Sequence, residues 1–455
     1  MRSLGQHRIW MFEINFRGLT IALSLIMLFV LSVVLTPAAQ AQTYSKIHDF
    51  TGGLDGATPY AGVVIDRAGR LYGTTYSGGA GSGGGYGTVY QLKNSGSGWV
   101  LDPLYDFTGG NDGAHPTANV VIAPNGMLYG TTYAGGGNGC GGSGCGIVFS
   151  LRPPATAPRS AVFPWTETVL YRFTGGADGE HPTGTLIFGA DGNLYGTTYG
   201  DPTVGTKDSG TVFKITTSGT LTTLYTFCSM SNCVDGASPY AGLVQGTDLN
   251  FYGTTTLGGL SNACGGYYSE PGCGTVFRVT ASGALTTLYS FCSVGQCSDG
   301  EIPVAALIQG NDGNFYGTTE TGTPTIPNHG TAFKITPSGF LTTLYSFCSQ
   351  SDCADGAAVY AGLVQGSDSN FYGTTEYGGG NDSCVSGDGQ DGCGTVFKVT
   401  ASGALTKLYS LCPQMGCADG SWPLGTLVPG SDGSFYGTTS QGGAYGDGVV
   451  FEITP

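Results

Sequence analysis

Two histidines, His115 and His181, occupy equivalent points of the chain, each just after an Asp-Gly pair and just before a proline, and Glu180 precedes the second. An imidazole beside a carboxylate can hold a ligand or move a proton. No third ligand or paired base accompanies them, so exposed, incidental loop histidines account for the same pattern. Three tyrosines in longer loops, Tyr267, Tyr268 and Tyr377, lie near Glu270, Asp382, Asp388 and Asp391. Variable loops on a rigid scaffold commonly carry binding residues, so these six positions (the two histidines, Glu180 and the three tyrosines) are the expected ligand contacts.

Seven more carboxylates, Asp55, Asp112, Asp178, Asp235, Asp299, Asp355 and Asp419, each precede a glycine. A ring of carboxylates invites a cation, but a residue present in every copy of a repeat more simply serves the repeat, and Asp before Gly caps its own turn. A calcium loop needs several oxygen ligands close in sequence, and no such run occurs. No metal and no cofactor is therefore expected. Nucleophile elbows with triad partners, His-Glu-x-x-His and Walker sequences are missing as well. The expectation is a binding protein without catalysis. An extracellular hydrolase or lyase would have to draw on His115, His181, Glu180 or Glu301, and a structural envelope component is the third reading.

Fourteen cysteines form seven local pairs: Cys140 with Cys145, Cys228 with Cys233, Cys264 with Cys273, Cys292 with Cys297, Cys348 with Cys353, Cys384 with Cys393, and Cys412 with Cys417. The loop Phe50-Thr-Gly-Gly-Leu-Asp55 is short and has no cysteine, whereas its longer counterpart Phe227-Cys-Ser-Met-Ser-Asn-Cys-Val-Asp235 has a pair bracketing the added segment. A crosslink closing so short a loop recovers roughly 2 kcal/mol of the entropy lost on ordering it. Disulfides are the expected state in an oxidising compartment. The competing chemistry is zinc, with Cys228, Cys233, Cys264 and Cys273 as one set of four thiolates and Cys348, Cys353, Cys384 and Cys393 as another.

What must position these residues is a repeat. The seven Asp-Gly pairs are spaced by 57, 66, 57, 64, 56 and 64 residues, and each is followed after 17 residues by Tyr-Gly-Thr-Thr or a close variant, beginning at Tyr72, Tyr129, Tyr195, Tyr252, Tyr316, Tyr372 and Tyr436. Length varies mainly between that motif and the next Gly-Thr-Val-Phe. Each copy holds four runs rich in Val, Tyr, Phe and Thr, in the fourth copy 241–245, 250–255, 274–280 and 284–291, here called strands A to D. Turns such as Asn311-Asp-Gly-Asn314 and Ser431-Asp-Gly-Ser434, distinct from the seven pairs above and expected to be two-residue hairpins, join A to B, and Ser-Gly turns join C to D.

A lone four-stranded sheet cannot bury both faces, so the copies must stack. The ends of the chain favour a ring. Tyr44-Ser-Lys-Ile-His-Asp-Phe50 is a D-like strand standing before the first copy, and the last copy stops after the C-like strand 448–454. Pairing 44–50 with 448–454 supplies the missing strand and removes the open edge. Strand A also carries only small residues at one position, Ala61, Ala118, Gly184, Ala241, Ala305, Ala361 and Gly425, as crowding at an axis requires. The fold expected is all-β, a seven-bladed β-propeller of four-stranded antiparallel blades. Its D-to-A and B-to-C loops, with every cysteine pair, then emerge on one face. The opposite face has one long loop, from Arg152 to Thr166, with Pro153, Pro154, Pro158, Pro164 and Trp165.

Taken together, Asp-Gly, Asn-Leu-Tyr-Gly-Thr-Thr, Gly-Thr-Val-Phe-Lys-Ile and Leu-Tyr-x-Phe resemble the GloVer-type (choice-of-anchor) tandem repeats of bacterial exported proteins, over residues 44–455. The resemblance implies a surface or secreted protein and supplies no activity.

Residues 1–41 read as a signal peptide, with Arg2, Arg8 and Arg17 ahead of an apolar run over 19–35 and the small-x-small site Ala39-Gln40-Ala41. The alternative is an uncleaved anchor. Residues 42–455 are expected to be one domain, monomeric, with no further membrane span. The chain carries a net charge of −15, which loss of the leader makes about −17. Nucleic acid needs clustered Lys and Arg and is excluded as a partner. A glycan or a surface protein is the expected partner, in the periplasm, at the cell surface or in the medium.

Overall fold

A computed structural model describes residues 42–80, 84–154, 165–200, 209–261, 264, 272–322, 329–380, 384 and 392–455. The leader, Tyr267, Tyr268, Glu270, Asp382, Asp388, Asp391, Pro158 and Pro164 lie outside them. Residues Thr43–Thr454 make one compact unit of seven four-stranded antiparallel sheets, each in strand order A-B-C-D. Blade four is typical: Val244–Gln245, Phe251–Thr255, Thr275–Val279 and Leu285–Ser290. Thr43–Asp49 pairs with Val449–Thr454 and completes blade seven, so the ring closes with the two ends of the chain in one sheet.

The repeat motifs are explained by what each residue meets. In Tyr-Gly-Thr-Thr, the glycine leaves room for the aromatic ring of Gly-Thr-Val-Phe on the neighbouring strand; a β-carbon on Gly253 would sit 2.6 Å from Phe277. The first threonine reaches the next blade, as Thr74 donates to the carbonyl of Ala118, Thr197 to Ala241, Thr318 to Ala361 and Thr438 to Ala61 across the closure. The second threonine meets a threonine of strand C, as in Thr255 with Thr275 at 2.8 Å. Apolar cores form between blades. The terminal Phe of Leu-Tyr-x-Phe packs edge-on against the strand C Phe of the following blade, Phe227 on Phe277 and Phe291 on Phe333.

Three details depart from the sequence reading. Strand A is two residues long in six blades and three in the first, shorter than the five residues expected. Strand D carries a bulge in every blade, between Val276 and Phe277 of the facing strand in blade four. The A-to-B turns are three-residue loops rather than two-residue hairpins: Gly246 donates to Asn250 and Leu249 to Gly246, with Leu249 in the left-handed region at φ 65.

Candidate functional site

Six of the seven small residues ahead of strand A, all but Ala361, line an axial cavity. Together with their neighbours they enclose a cavity of about 110 Å³, lined by Ala61, Ala118, Gly184, Ala241, Ala305 and Gly425 among others. That is space for only a few waters, so anything larger must rest at the mouth.

The mouth opens on the loop-rich face and is built from two columns of the repeat. One is the residue before the small one: Tyr60, Thr117, Thr183, Tyr240, Val304, Tyr360 and Leu424. The other follows Tyr-Gly-Thr-Thr: Tyr76, Tyr133, Tyr199, Thr256, Glu320, Glu376 and Ser440. Neither column keeps one residue type. Blades one to three supply the aromatic arc of Tyr76, Tyr133 and Tyr199, and blades five and six supply the two glutamates.

Side chains from non-adjacent blades meet here. Tyr240 of blade four and Tyr360 of blade six approach edge to face with ring centroids 5.8 Å apart, although blade five stands between them. Tyr60 packs edge-on against Tyr76 at 4.9 Å, and Tyr199 against Tyr240 at 5.5 Å. Burial pushes the Glu320 carboxyl up to about 7, and the adjacent Glu376 pushes the same way because two like charges disfavour each other. Burial raises the Tyr240 hydroxyl to about 12 and lifts Tyr360 well above its ordinary range, with Glu320 adding to both and Glu376 also to Tyr360. Tyr60 is raised by burial, then by Tyr76 and Glu376. Five side chains from four blades thus share one electrostatic neighbourhood. Two buried polar atoms of the cavity lining, Thr117 Oγ1 and Asn119 Oδ1, have no hydrogen-bond partner in the protein.

His115 and His181 border this mouth but are not the exposed residues anticipated. His181 is 8% exposed and His115 half-buried. Each ring stacks on a tyrosine of the preceding blade, His115 on Tyr76 at 4.5 Å and His181 on Tyr133 at 4.3 Å, with Nδ1 2.9 Å from that tyrosine's carbonyl oxygen. They wedge between blades because an aromatic ring fits the gap that the tyrosine leaves. The Glu180 carboxylate abuts the Cys140 sulfur, 2.6 Å away. Tyr377, the residue after Glu376, packs edge-on against Trp422 of the next blade at 6.1 Å.

The Asp-Gly carboxylates are tied into their own loops. Asp235 accepts from the backbone and hydroxyl of Ser229 and from the Tyr225 hydroxyl at 2.8 Å, and Asp299 and Asp355 repeat the pattern. All seven cysteine pairs are disulfides, four in D-to-A loops and three in B-to-C loops. The sets of four considered for zinc are regrouped by the fold. Cys264 and Cys273 lie against Cys292 and Cys297, and Cys384 and Cys393 against Cys412 and Cys417, because a B-to-C loop neighbours the D-to-A loop that follows it.

Sequence reasoning missed Tyr60, Tyr240, Tyr360, Glu320 and Glu376. For the glutamates a signal was present: directly after the unvarying Tyr-Gly-Thr-Thr, the seven copies read Tyr, Tyr, Tyr, Thr, Glu, Glu, Ser, and for the tyrosines the position before the small residue reads Tyr, Thr, Thr, Tyr, Val, Tyr, Leu.

Among the described residues, no helix is long and apolar enough to cross a membrane. No curated protein matches the chain in sequence. In fold it is similar to the extracellular domain of BT4673 from B. thetaiotaomicron, assigned as a hybrid two-component system, with 11% identity and a TM-score of 0.52 over 90% of this chain and 39% of that one. It is also similar to the PQQ-bound aldose sugar dehydrogenase of Streptomyces coelicolor, with 12% identity and a TM-score of 0.38 over 92% of this chain and 99% of that one. At these identities the likeness concerns the fold alone. In sequence, the Gloeobacter/Verrucomicrobia repeat matches residues 33–161, 141–386 and 265–455, which together span the propeller, and the chain belongs to that repeat family.

Proposed function

We propose that this is an exported binding propeller that receives the end of a glycan or glycan-like surface polymer at the axial mouth of its disulfide-stapled face. The observation that carries this reading is the division of the mouth into an aromatic arc and a glutamate pair on a scaffold that is otherwise repeated blade by blade. Sugar rings present apolar faces that stack on tyrosine and hydroxyls that donate to carboxylates, so one ligand satisfies both halves. The narrow cavity below favours a chain end over a threaded chain. Disulfides hold the surrounding loops, which lowers the entropy lost when a ligand orders them, and Tyr267 and Tyr268 belong to one of those loops as outer contacts. Export rests on the leader and on seven disulfides.

The test is a glycan array probed with the protein lacking residues 1–41. Tyr240→Ala and Glu376→Gln should each weaken binding tenfold or more, while Trp165→Ala, on the opposite face, should leave it unchanged. Binding that survives both mouth changes and fails with Trp165→Ala would place the ligand on the wrong side for this reading.

One observation favours a second reading, a hydrolase. Glu320 is held near 7 beside a second glutamate, and paired carboxylates of unequal acidity are what glycosidic cleavage uses. Incubation with a bound oligosaccharide separates the two. Recovery of intact ligand supports binding alone, and fragments whose release is abolished by Glu320→Gln support the hydrolase.

A further inference from the structure

The stapled face gathers sulfur in a way that stapling alone does not require. The Cys264–Cys273 disulfide lies against Cys292–Cys297 with Glu301 beside them, and all five candidate ligand atoms fall within 4.8 Å of one another. Two blades on, Cys384–Cys393 and Cys412–Cys417 repeat the arrangement, again within 4.8 Å. There the sulfurs of Cys384 and Cys417, which belong to different disulfides, are 3.7 Å apart. A zinc ion holding four thiolates at about 2.3 Å spaces its sulfurs about 3.8 Å apart along the edges of the tetrahedron. The gap between the two disulfides is already that of a tetrathiolate edge.

Corners with fewer cysteines make the same point. At two of the three corners with a single cysteine pair, a residue of another zinc ligand type faces the sulfurs. His329 lies within 4.8 Å of the Cys348 and Cys353 sulfurs, and Glu180 and His181 lie equally close to Cys140. A disulfide constrains only its own loop and sets no requirement on the chemistry opposite.

We propose that each cysteine quartet is a redox-convertible zinc site, two disulfides when oxidised and a zinc tetrathiolate when reduced. Reduction by a phosphine consumes one phosphine and one water for each disulfide and releases two thiols and one phosphine oxide. Binding of one Zn²⁺ to four thiols then releases four protons and leaves a tetrathiolate of charge −2. The ion joins the B-to-C loop to the D-to-A loop, a connection that neither disulfide makes. It thereby holds the face together under conditions that open the staples.

The test uses the full chain reduced with a phosphine, exposed to zinc or to cobalt(II), and freed of excess ion before its metal content is measured. Two ions per chain in four-sulfur coordination, one for each quartet, are expected after reduction and none before it, counted from the intense visible absorption of cobalt in a tetrahedral tetrathiolate. Replacing both Cys412→Ser and Cys417→Ser should lower the count to one, and so should Cys292→Ser with Cys297→Ser. Cys228→Ser with Cys233→Ser, a staple outside the quartets, should leave it at two. The proposal is overturned if the reduced chain takes up no metal, if the quartet changes leave the count at two, or if the reduced chain unfolds and zinc does not restore it.

Discussion

Tyr90 shows how closely each side chain of the repeat is fitted. It stands in strand C of blade one where the other blades have Phe149, Phe213, Phe277, Phe333, Phe397 and Phe451, and its fully buried hydroxyl has no partner. Leaving a polar group unsatisfied in a core costs about 1–3 kcal/mol. Tyr90→Phe should therefore stabilise the protein by about 1 kcal/mol in denaturant unfolding, and a loss of stability would mean the hydroxyl has a use. The reverse holds at Gly253, where a methyl group would drive into the Phe277 ring. Gly253→Ala should cost about 1–3 kcal/mol, as overpacking does, and an unchanged midpoint would refute the steric account of the motif. The sequence shows that these positions repeat, and chemistry explains them only once strand C lies beside strand B. The mouth residues were hidden for the opposite reason. Glu320 and Glu376 interrupt a repeat, and attention to what recurs passes over what does not.

Strands and turns were legible where one residue type dictates one geometry. Asp248 accepts from the Asn250 backbone and side chain and from the Tyr252 hydroxyl, so the Asp-x-Asn-x-Tyr spacing is a complete turn specification. Loop length was read wrongly because the left-handed residue closes a three-residue loop as readily as a two-residue one. In blade four that residue is Leu249, 60% exposed at φ 65, and in blade six Ser369 at φ 64, where the other five blades have glycine, such as Gly313 at φ 78. The left-handed region costs a non-glycine residue about 1–2 kcal/mol. Leu249→Gly should raise stability by up to about 1 kcal/mol, since little packing is lost; a drop in the unfolding midpoint would contradict this. The strand D bulge left no trace in the pattern of residue types. A second feature was equally silent: Thr58, His115, His181, Ser238, Ile302, Ala358 and Trp422, one per blade, all have φ between 52 and 57. In this conformation the Ile302 amide reaches the Cys273 carbonyl of the preceding blade while its own carbonyl accepts from Glu320. Backbone strain is accepted where it joins blades, at the rim of the mouth.

The ring as a whole was the most legible level, since closure follows from a D-like strand at one end and a missing D strand at the other. Its acid balance gives a prediction at the same scale. Glu320 is raised from an ordinary 4.5 to about 7, so between those values the folded state binds more protons than the unfolded one. Stability should fall as pH rises through that window. Burial tends to raise Asp191, Asp248, Asp312 and Asp368, but hydrogen bonds from their turns outweigh it and leave them below 3.8. Their contribution is present above that value and is lost as pH drops further. The melting temperature should therefore be higher near pH 5 than near pH 8 and should fall again in stronger acid, with Glu320→Gln flattening the neutral limb. A melting temperature that rises from pH 5 to pH 8 would contradict the burial of Glu320.

The seven blades differ at the axial mouth, and the proposed ligand is received there. Glycan-array binding by the leaderless protein, by Tyr240→Ala with Glu376→Gln, and by Trp165→Ala tests it most directly. A glycan class should be bound by the first and third proteins and lost by the second. Undiminished binding by the mouth variant would contradict it.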